Sequence, residues 1–205
     1  MTDGTSWIAP ASCRGRLLVA TPPLDDPNFD HTVVYVLEHT PSGAIGVVVN
    51  RVTDEECPDE IEQWAPLLAA PAVVFGGGPV EPGALIGVAL AVGAAGDHWN
   101  RLTVGARGDT TAVPADEPIL GSVDLAEEPE SIAPDFRAVR IFRGYAGWGG
   151  GQLDRELDEG SWIVVDADVA DVFTLAPDDL WRHVLARQGG RTAWAANVPL
   201  DLSAN

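Results

Sequence analysis

Carboxylates and histidines are frequent between residues 25 and 39, and side chains of these types do acid–base chemistry or bind metal ions. Asp26, Glu38 and His39 are the candidates for a general acid and base, because proton transfer needs titratable groups beside a substrate. A straight strand over residues 31–39 would separate His31 from His39 by roughly 27 Å, which opposes one shared metal site. Glu38 and His39 also point to opposite faces of such a strand. We therefore predict no metal site, and an acid–base site only if other parts of the fold complete it.

Two glycine-rich stretches are candidates for holding a ligand. They are FRGYAGWGGGQL at residues 142–153 and VFGGGPV at residues 74–80. Glycine lets a backbone approach a ligand closely, and the free N–H groups at a helix start bind anions. The segment after the first stretch, DRELDE, carries four acids, which oppose an anion there. We predict that both stretches are corners of the fold, with Tyr145 and Trp148 packed as anchors.

The charged residues restrict the classes of function. The formal net charge is −19, and all 12 basic residues are arginine. Without lysine the chain has no Walker A loop and no Schiff-base chemistry. Nucleic-acid binding is disfavoured, because affinity for phosphates comes from basic side chains. Arg137, Arg140 and Arg143 would form a basic stripe on a helix, but their segment is predicted to be a strand, where Arg140 points away from the other two.

The cysteines and the N-terminal residues indicate a cytoplasmic protein. Cys13 and Cys57 have no metal-ligand spacing and no C-x-x-C motif, so we predict two unpaired, inert thiols. The first 20 residues contain no apolar run of the signal-peptide type. No stretch reaches the ~18 apolar residues that cross a bilayer. We expect no membrane association, and a flexible arm over residues 1–15.

Short apolar segments separated by turn residues predict one α+β domain. Strands are predicted at residues 15–21, 31–39, 44–50, 72–80, 84–92, 118–124, 136–142 and 161–167. Helices are predicted at residues 58–70, 125–133, 150–160 and 177–190. Residues 93–117 are polar and are predicted to be irregular. No break of linker type divides the chain, so one domain is the simplest organisation.

Four motifs in order along the chain resemble the YqgE/AlgH family of bacterial proteins. They are GRLLVATPPLDDPNFDHTVVYVLEHTPSGAIGVVVNR, VFGGGPV, FRGYAGWGGGQLDRELDEGSWIVVDAD and the C-terminal NVPLDLSAN. The resemblance implies a single α+β domain over residues 16–205, with a mixed, bifurcated β-sheet curled into a pseudo-barrel and flanked by helices. It implies no established activity, although some members carry the label of transcriptional regulator.

Our leading hypothesis is a non-enzymatic cytosolic protein that binds another protein or a small ligand, as a monomer or weak dimer, without a cofactor. One alternative is an enzyme with an acid–base site near Asp26, Glu38 and His39. The other is the regulator of the family label, which the net charge disfavours. We predict a binding surface where LDDPNFD, GGGPV and GYAGW converge. Its candidate residues are Asp26, Phe29, Glu38, His39, Asn50, Gly77, Pro79, Tyr145, Trp148 and Gln152.

Overall fold

Nine β-strands and five short helices make up the described part of the chain. The computed structural model describes residues 12–22, 24, 26–92, 98–105, 118–132 and 135–188. The strands are β1 (Arg16–Ala20), β2 (Val33–Thr40), β3 (Gly43–Val48), β4 (Phe75–Gly76), β5 (Val80–Ala91), β6 (Trp99–Arg101), β7 (Ile119–Val123), β8 (Phe136–Gly149) and β9 (Trp162–Asp166). The helices are a 3₁₀ helix (Asp59–Leu67), α1 (Pro129–Ile132), α2 (Gln152–Asp158), α3 (Val169–Val172) and α4 (Pro177–Ala186). The start of the predicted arm (residues 1–11), the tail motif (197–205) and parts of the predicted irregular region (93–97 and 106–117) lie outside the described residues.

All of these strands belong to one curled sheet. Its order is β6-β7-β5-β8-β3-β2-β1-β9, with β4 beside β8. The pairs in this order are antiparallel, whereas β4 and β8 run parallel, so the sheet is mixed. The predicted hairpin is present, because β2 and β3 pair around the turn at residues 41–42. The mixed sheet, curled into a half-barrel with a few helices, confirms the predicted α+β class.

The long strand β8 is where the sheet divides. Residues 136–143 pair mainly with β5, whereas residues 146–149 pair with β3. Gly144 lies between these segments with φ 67°, a conformation that favours glycine. This irregularity shifts the side-chain alternation, so Phe142 and Tyr145 face the same apolar cluster although they are three residues apart. The first half of β8 therefore belongs to one part of the sheet and the second half to the other.

Helices cover both faces of the sheet around β1, β2 and β3. On one face, α4 buries Leu180, Trp181, Val184 and Leu185 against these strands. On the opposite face, α2 buries Leu153, and the loop before β2 adds the half-buried ring of Phe29. A third cluster lies under the 3₁₀ helix and α1, around the fully buried Trp64. Among the described residues, no helix is long and apolar enough to cross a bilayer.

The sequence predicted most elements correctly but misplaced the limits of several. Of the strand predicted at residues 72–80, only Phe75–Gly76 is β4, and Val80 begins β5. The helix predicted at residues 125–133 is only Pro129–Ile132. The helix predicted at residues 58–70 is a 3₁₀ helix with a kink at Ile61 and Pro66 inside it. The strand predicted to end at Phe142 continues to Gly149, because β3 supplies a second partner beyond the first. The region 93–117, predicted to be irregular, contains β6, whose three residues pair with β7. The one-turn helix α3 was not predicted.

The last residues of the predicted arm are attached to the sheet. The Gly15 amide donates a hydrogen bond to the Val36 carbonyl oxygen at 2.9 Å, and Cys13 is fully buried. Cys13 and Cys57 are both free thiols, as the sequence predicted. Flexibility of residues 1–11 stays a prediction.

Candidate functional site

The predicted site residues Phe29 and Trp148 meet on one face of the sheet. Their rings stack with centroids 6.2 Å apart, and both rings pack against Trp162, at 5.3 and 5.9 Å. Trp148 and Trp162 are buried and Phe29 is half-buried. The loop LDDPNFD is therefore held on the sheet by an aromatic cluster.

Glu156, which the sequence analysis did not single out, connects this cluster to α2. One carboxylate oxygen, Oε2, accepts hydrogen bonds from the indole N–H groups of Trp148 and Trp162, both at 2.8 Å. The other oxygen accepts the side-chain amide of Gln152 at 2.9 Å, and Gln152 in turn accepts the Gly149 amide at 3.1 Å. The Glu156 carboxylate and the Gln152 side chain therefore accept the hydrogen bonds of these indole and amide groups within the fold. Within the stretch at residues 142–153, β8 runs to Gly149 and α2 begins at Gln152, so the corner is confined to Gly150 and Gly151.

The second glycine stretch lies against Tyr145, on the other face of β8 from Trp148. A Cβ atom on Gly78 would come within 2.2 Å of the Tyr145 carbonyl carbon, and one on Gly77 within 2.2 Å of the Gly144 oxygen. Only glycine permits so close an approach. Partial burial and the neighbouring Glu81 carboxylate raise the pKa of the Tyr145 hydroxyl. Pro79 is exposed beside this crossing. Residues 77–79 meet Tyr145 but not Phe29 and Trp148, so the predicted convergence is split between two faces.

The acid–base candidates lie in different places. Asp26 is in the loop before β2, where its carboxylate accepts the Asn28 amide at 2.8 Å. His39 lies near the far end of β2, about 20 Å along the strand from Val33. Its Nδ1 accepts the Cys13 amide at 3.1 Å, and its Nε2 is 3.7 Å from an Asp154 carboxylate oxygen.

Glu38, in β2, and Asn50, which follows β3, have different environments. Glu38 is exposed, whereas the His39 side chain is only 7% exposed, in agreement with the predicted opposite faces. Asn50 has a structural role. Its side-chain oxygen Oδ1 accepts a hydrogen bond from the Val33 backbone amide at 2.8 Å, and its side-chain Nδ2 donates one to the His31 backbone carbonyl at 2.9 Å. These bonds fix the start of β2.

The buried Cys13 thiol is expected to be unreactive in the folded protein. Burial raises the pKa of this thiol to about 11, and a thiolate is the reacting species. In a Cys57→Ser variant, which leaves one thiol, we expect no reaction with Ellman's reagent at pH 8 until urea unfolds the chain. Stoichiometric labelling of the folded variant within minutes would show that Cys13 is accessible, contrary to its burial.

One group among the described residues has donors placed as metal ligands. His98 Nδ1 lies 3.9 Å from an Asp124 carboxylate oxygen and 3.8 Å from one of Glu127. The three side chains are between 40% and 53% exposed, and exposed carboxylates often cluster without a metal. The sequence analysis did not single them out, since pairing of β6 with β7 brings them together.

The three arginines of β8 have separate environments. Arg137 is exposed and pairs with Asp135 at 2.8 Å. Arg143 forms a bidentate ion pair with Glu55, and its hydrogen bonds hold the pKa of that carboxyl below its ordinary value. Arg140 is 1% exposed, on the opposite face of the strand. No basic stripe forms here, as the sequence predicted.

Arg140 is a buried cation without a carboxylate partner among the described residues. Its guanidinium donates to the Ala70 carbonyl oxygen at 2.7 Å and to the Thr174 carbonyl oxygen at 3.2 Å. It lies 4.1 Å from the centroid of the Phe75 ring, a favourable cation–π distance. Its Nε has no hydrogen-bond partner within the part of the chain that the structure describes. Burial lowers the pKa of Arg140 to about 10, so the side chain stays charged at neutral pH.

The two carbonyl groups that Arg140 binds belong to two apolar surface segments. Residues 65–72, APLLAAPA, contain no polar side chain, and every one is half-buried or exposed. Leu175, which follows Thr174, is 78% exposed. Because one guanidinium binds both backbones, these segments lie side by side. We call residues 65–72 together with Leu175 the apolar patch.

The patch is the most unusual surface feature of the described residues. Leu175 and Val52, at 78% and 39%, are the large hydrophobic side chains exposed in that part of the chain. The sequence analysis assigned residues 65–70 to a helix and missed the patch. Its signal was a run of eight alanine, proline and leucine residues, which lies inside an uncharged stretch over residues 63–80.

Known proteins resemble this chain over nearly its whole length. A family model described as AlgH-like matches residues 17–193. The chain is 47% identical over 195 residues to a UPF0301 protein of Streptomyces coelicolor, with 95% of this chain and 96% of that protein covered. It is 40% identical over 204 residues to a UPF0301 protein of Rhodococcus jostii, with 99% and 96% covered.

Two solved structures share the fold. A crystal structure of a Corynebacterium diphtheriae protein matches with a TM-score of 0.76 and 27% identity, over 90% of this chain and 92% of that one. The solution structure of the AlgH protein from Pseudomonas aeruginosa matches with a TM-score of 0.61 and 26% identity, over 93% and 96%. The sequence motifs, the fold and the family model agree, and the chain belongs to the AlgH-like family.

Proposed function

We propose that this protein is non-enzymatic and acts in the cytoplasm by binding another protein through the apolar patch. The observation that carries the proposal is Leu175, 78% exposed beside eight uncharged apolar residues. Apolar patches on a soluble surface mark interaction sites, because their burial against a partner is favourable. In this proposal the protruding Leu175 side chain is the anchor that the partner buries.

The shape of the patch favours a protein over a small molecule as its ligand. Small-molecule sites are concave and enclose most of the ligand, with a few polar groups that orient it. Leu175 protrudes, and residues 65–72 expose alanine and proline side chains without a polar group, whereas Leu67 and Leu68 pack against the third core cluster. Arg140 holds both segments in place before binding, which lowers the entropy cost of association.

The alternatives have weaker support. An acid–base enzyme would need Asp26, Glu38 and His39 beside one substrate, yet His39 accepts the Cys13 amide and Glu38 is exposed on the other face. A regulator that binds DNA directly would need a focused basic surface, which is difficult to build on a chain of net charge −19.

Replacement of Leu175 by serine is expected to remove binding without loss of stability. The side chain makes little contact within the fold, so the free energy of unfolding should change by less than about 0.5 kcal/mol. Loss of an anchor leucine should weaken the complex by at least about tenfold. The measurement is quantitative mass spectrometry of proteins that co-purify with tagged wild-type and L175S chains at native expression level.

Ala186→Ser is the matched control. Ala186 is also exposed, and it ends α4, about 15 Å from the start of that helix. At least one protein should be retained by the wild type and A186S and lost by L175S. An identical set of co-purifying proteins for all three chains would show that the patch is not the binding surface.

A further inference from the structure

Carboxylates precede one segment of the apolar patch in the chain and follow the other. The first turn of the 3₁₀ helix carries Asp59, Glu60 and Glu62, directly before residues 65–72. The first turn of α4 carries Asp178 and Asp179, three and four residues after Leu175. All five of these acids are exposed. We call them the acidic rim.

The acidic rim carries net negative charge, although Arg182 lies one helical turn after Asp178 on α4. No arginine or histidine in the described ranges forms an ion pair with any of its five members. Glu60 influences Arg143, but that arginine is engaged by Glu55. Arg140 lies beneath the patch with its charge buried. A partner that covers the patch therefore meets an apolar centre whose neighbouring segments carry negative charge.

Two occupants conflict with this charge. A second copy of the chain would bring another acidic rim against the first, and like charges in contact cost affinity. A membrane surface with anionic lipids would be repelled in the same way, since membrane attraction depends on basic residues. Positive charge around an apolar anchor is complementary to both parts of the surface.

We infer that the apolar patch and its acidic rim bind a polypeptide segment of a partner protein in which an apolar anchor is flanked by arginine or lysine. The inference rests on the proposed function and specifies the chemistry of the partner. Carboxylates in a first helical turn also favour the helix itself, so variants of the rim must be checked for folding.

The first experiment identifies the bound segment. A photo-reactive benzoylphenylalanine replaces the exposed Ala72 of the patch, with Leu175 left in place, in the full chain in its native cells, and cross-linked peptides are sequenced. A partner segment with net positive charge beside an apolar residue supports the inference. A neutral or acidic segment, or a second copy of this chain, overturns it and leaves protein binding intact. Absence of any protein cross-link overturns both the inference and the proposed function.

The second experiment measures the charge preference with defined probes. Two fluorescent peptides share the same leucine anchors, flanked in one by arginine and in the other by glutamine. The arginine peptide is expected to bind at least about tenfold more tightly, as measured by anisotropy at physiological salt. L175S and the double variant D178N/D179N should each weaken its binding by at least about threefold.

The matched control for charge is D158N/E159Q, which removes two exposed acids at the end of α2. This variant has the same net charge as D178N/D179N and should bind the arginine peptide like the wild type. Equal weakening by both double variants would mean that the peptide senses only total charge, which would overturn the inference. Circular dichroism melting confirms that each variant is folded.

Discussion

Replacement of Arg140 by alanine is expected to lower the free energy of unfolding by about 4 kcal/mol. The guanidinium donates hydrogen bonds to the Ala70 and Thr174 carbonyl oxygens, and its removal leaves both oxygens without that donor. The Phe75 ring also loses the group stacked on it, which opens a cavity. Urea unfolding followed by tryptophan fluorescence measures the change.

Arg140→Met separates the two contributions. Methionine fills part of the volume over Phe75 but donates no hydrogen bond, so its loss of stability should lie between zero and that of the alanine variant. Amide hydrogen exchange should be faster around residues 68–73 and 173–175 in both variants, because these segments are no longer tied together. If both variants stay within about 1 kcal/mol of the wild type, Arg140 is not the link between the two segments.

The consequence for function follows from the position of Arg140. Its side chain lies under the apolar patch and holds the backbone on both sides, whereas Leu175 contacts the partner directly. Arg140→Met should therefore weaken both stability and binding, whereas L175S should weaken binding alone. This difference distinguishes a residue that positions the patch from one that belongs to the interface.

The strands were predictable because their apolar residues are local signals. β1, β7 and β9 lie within the segments predicted from runs such as RLLVA and WIVVD, and the limits of β2 and β3 agree with the prediction to within two residues. α4 was equally clear, with Pro177 at its start and acids in its first turn. In these segments the local preference and the tertiary structure agree.

Elements that depend on a distant partner were not predictable. β6 is three residues, WNR, and forms only because β7 pairs with it. β8 runs on to Gly149 because β3 pairs with its second half, although glycines suggested an earlier end. The run at residues 58–70 has helical spacing, but the chain forms a 3₁₀ helix that is kinked at Ile61 and contains Pro66, which has no N–H to donate.

The candidate site was predicted only in part, because the rest of it depends on contacts between distant segments of the chain. The sequence indicated that Trp148 is an anchor of a corner, and the structure places it in the aromatic cluster with Phe29 and Trp162. The patch could not be predicted, since it depends on Arg140 reaching two segments 70 and 34 residues away in the chain. An arginine amid the buried residues of β8 was the signal that something must pair with it.

The second large effect is expected for Glu156→Ala, which should lower the free energy of unfolding by about 3 kcal/mol. Removal of the carboxylate leaves the indole N–H groups of Trp148 and Trp162 without acceptors, in positions that water barely reaches. It also frees Gln152, which holds the Gly149 amide at the end of β8. Urea unfolding of the variant measures the loss.

A double-mutant cycle tests the physical cause. Trp148→Phe removes one of the two donors, so the effects of E156A and W148F should be less than additive by about 1 kcal/mol. Glu159→Ala, at an exposed carboxylate that ends the same helix, should change stability by less than about 0.5 kcal/mol. Full additivity of E156A and W148F would show that the carboxylate stabilises α2 through the helix alone, and that the indole bonds contribute nothing. The expected coupling would instead establish that the hydrogen bond between the Trp148 indole and the Glu156 carboxylate, eight residues apart, helps to close the corner.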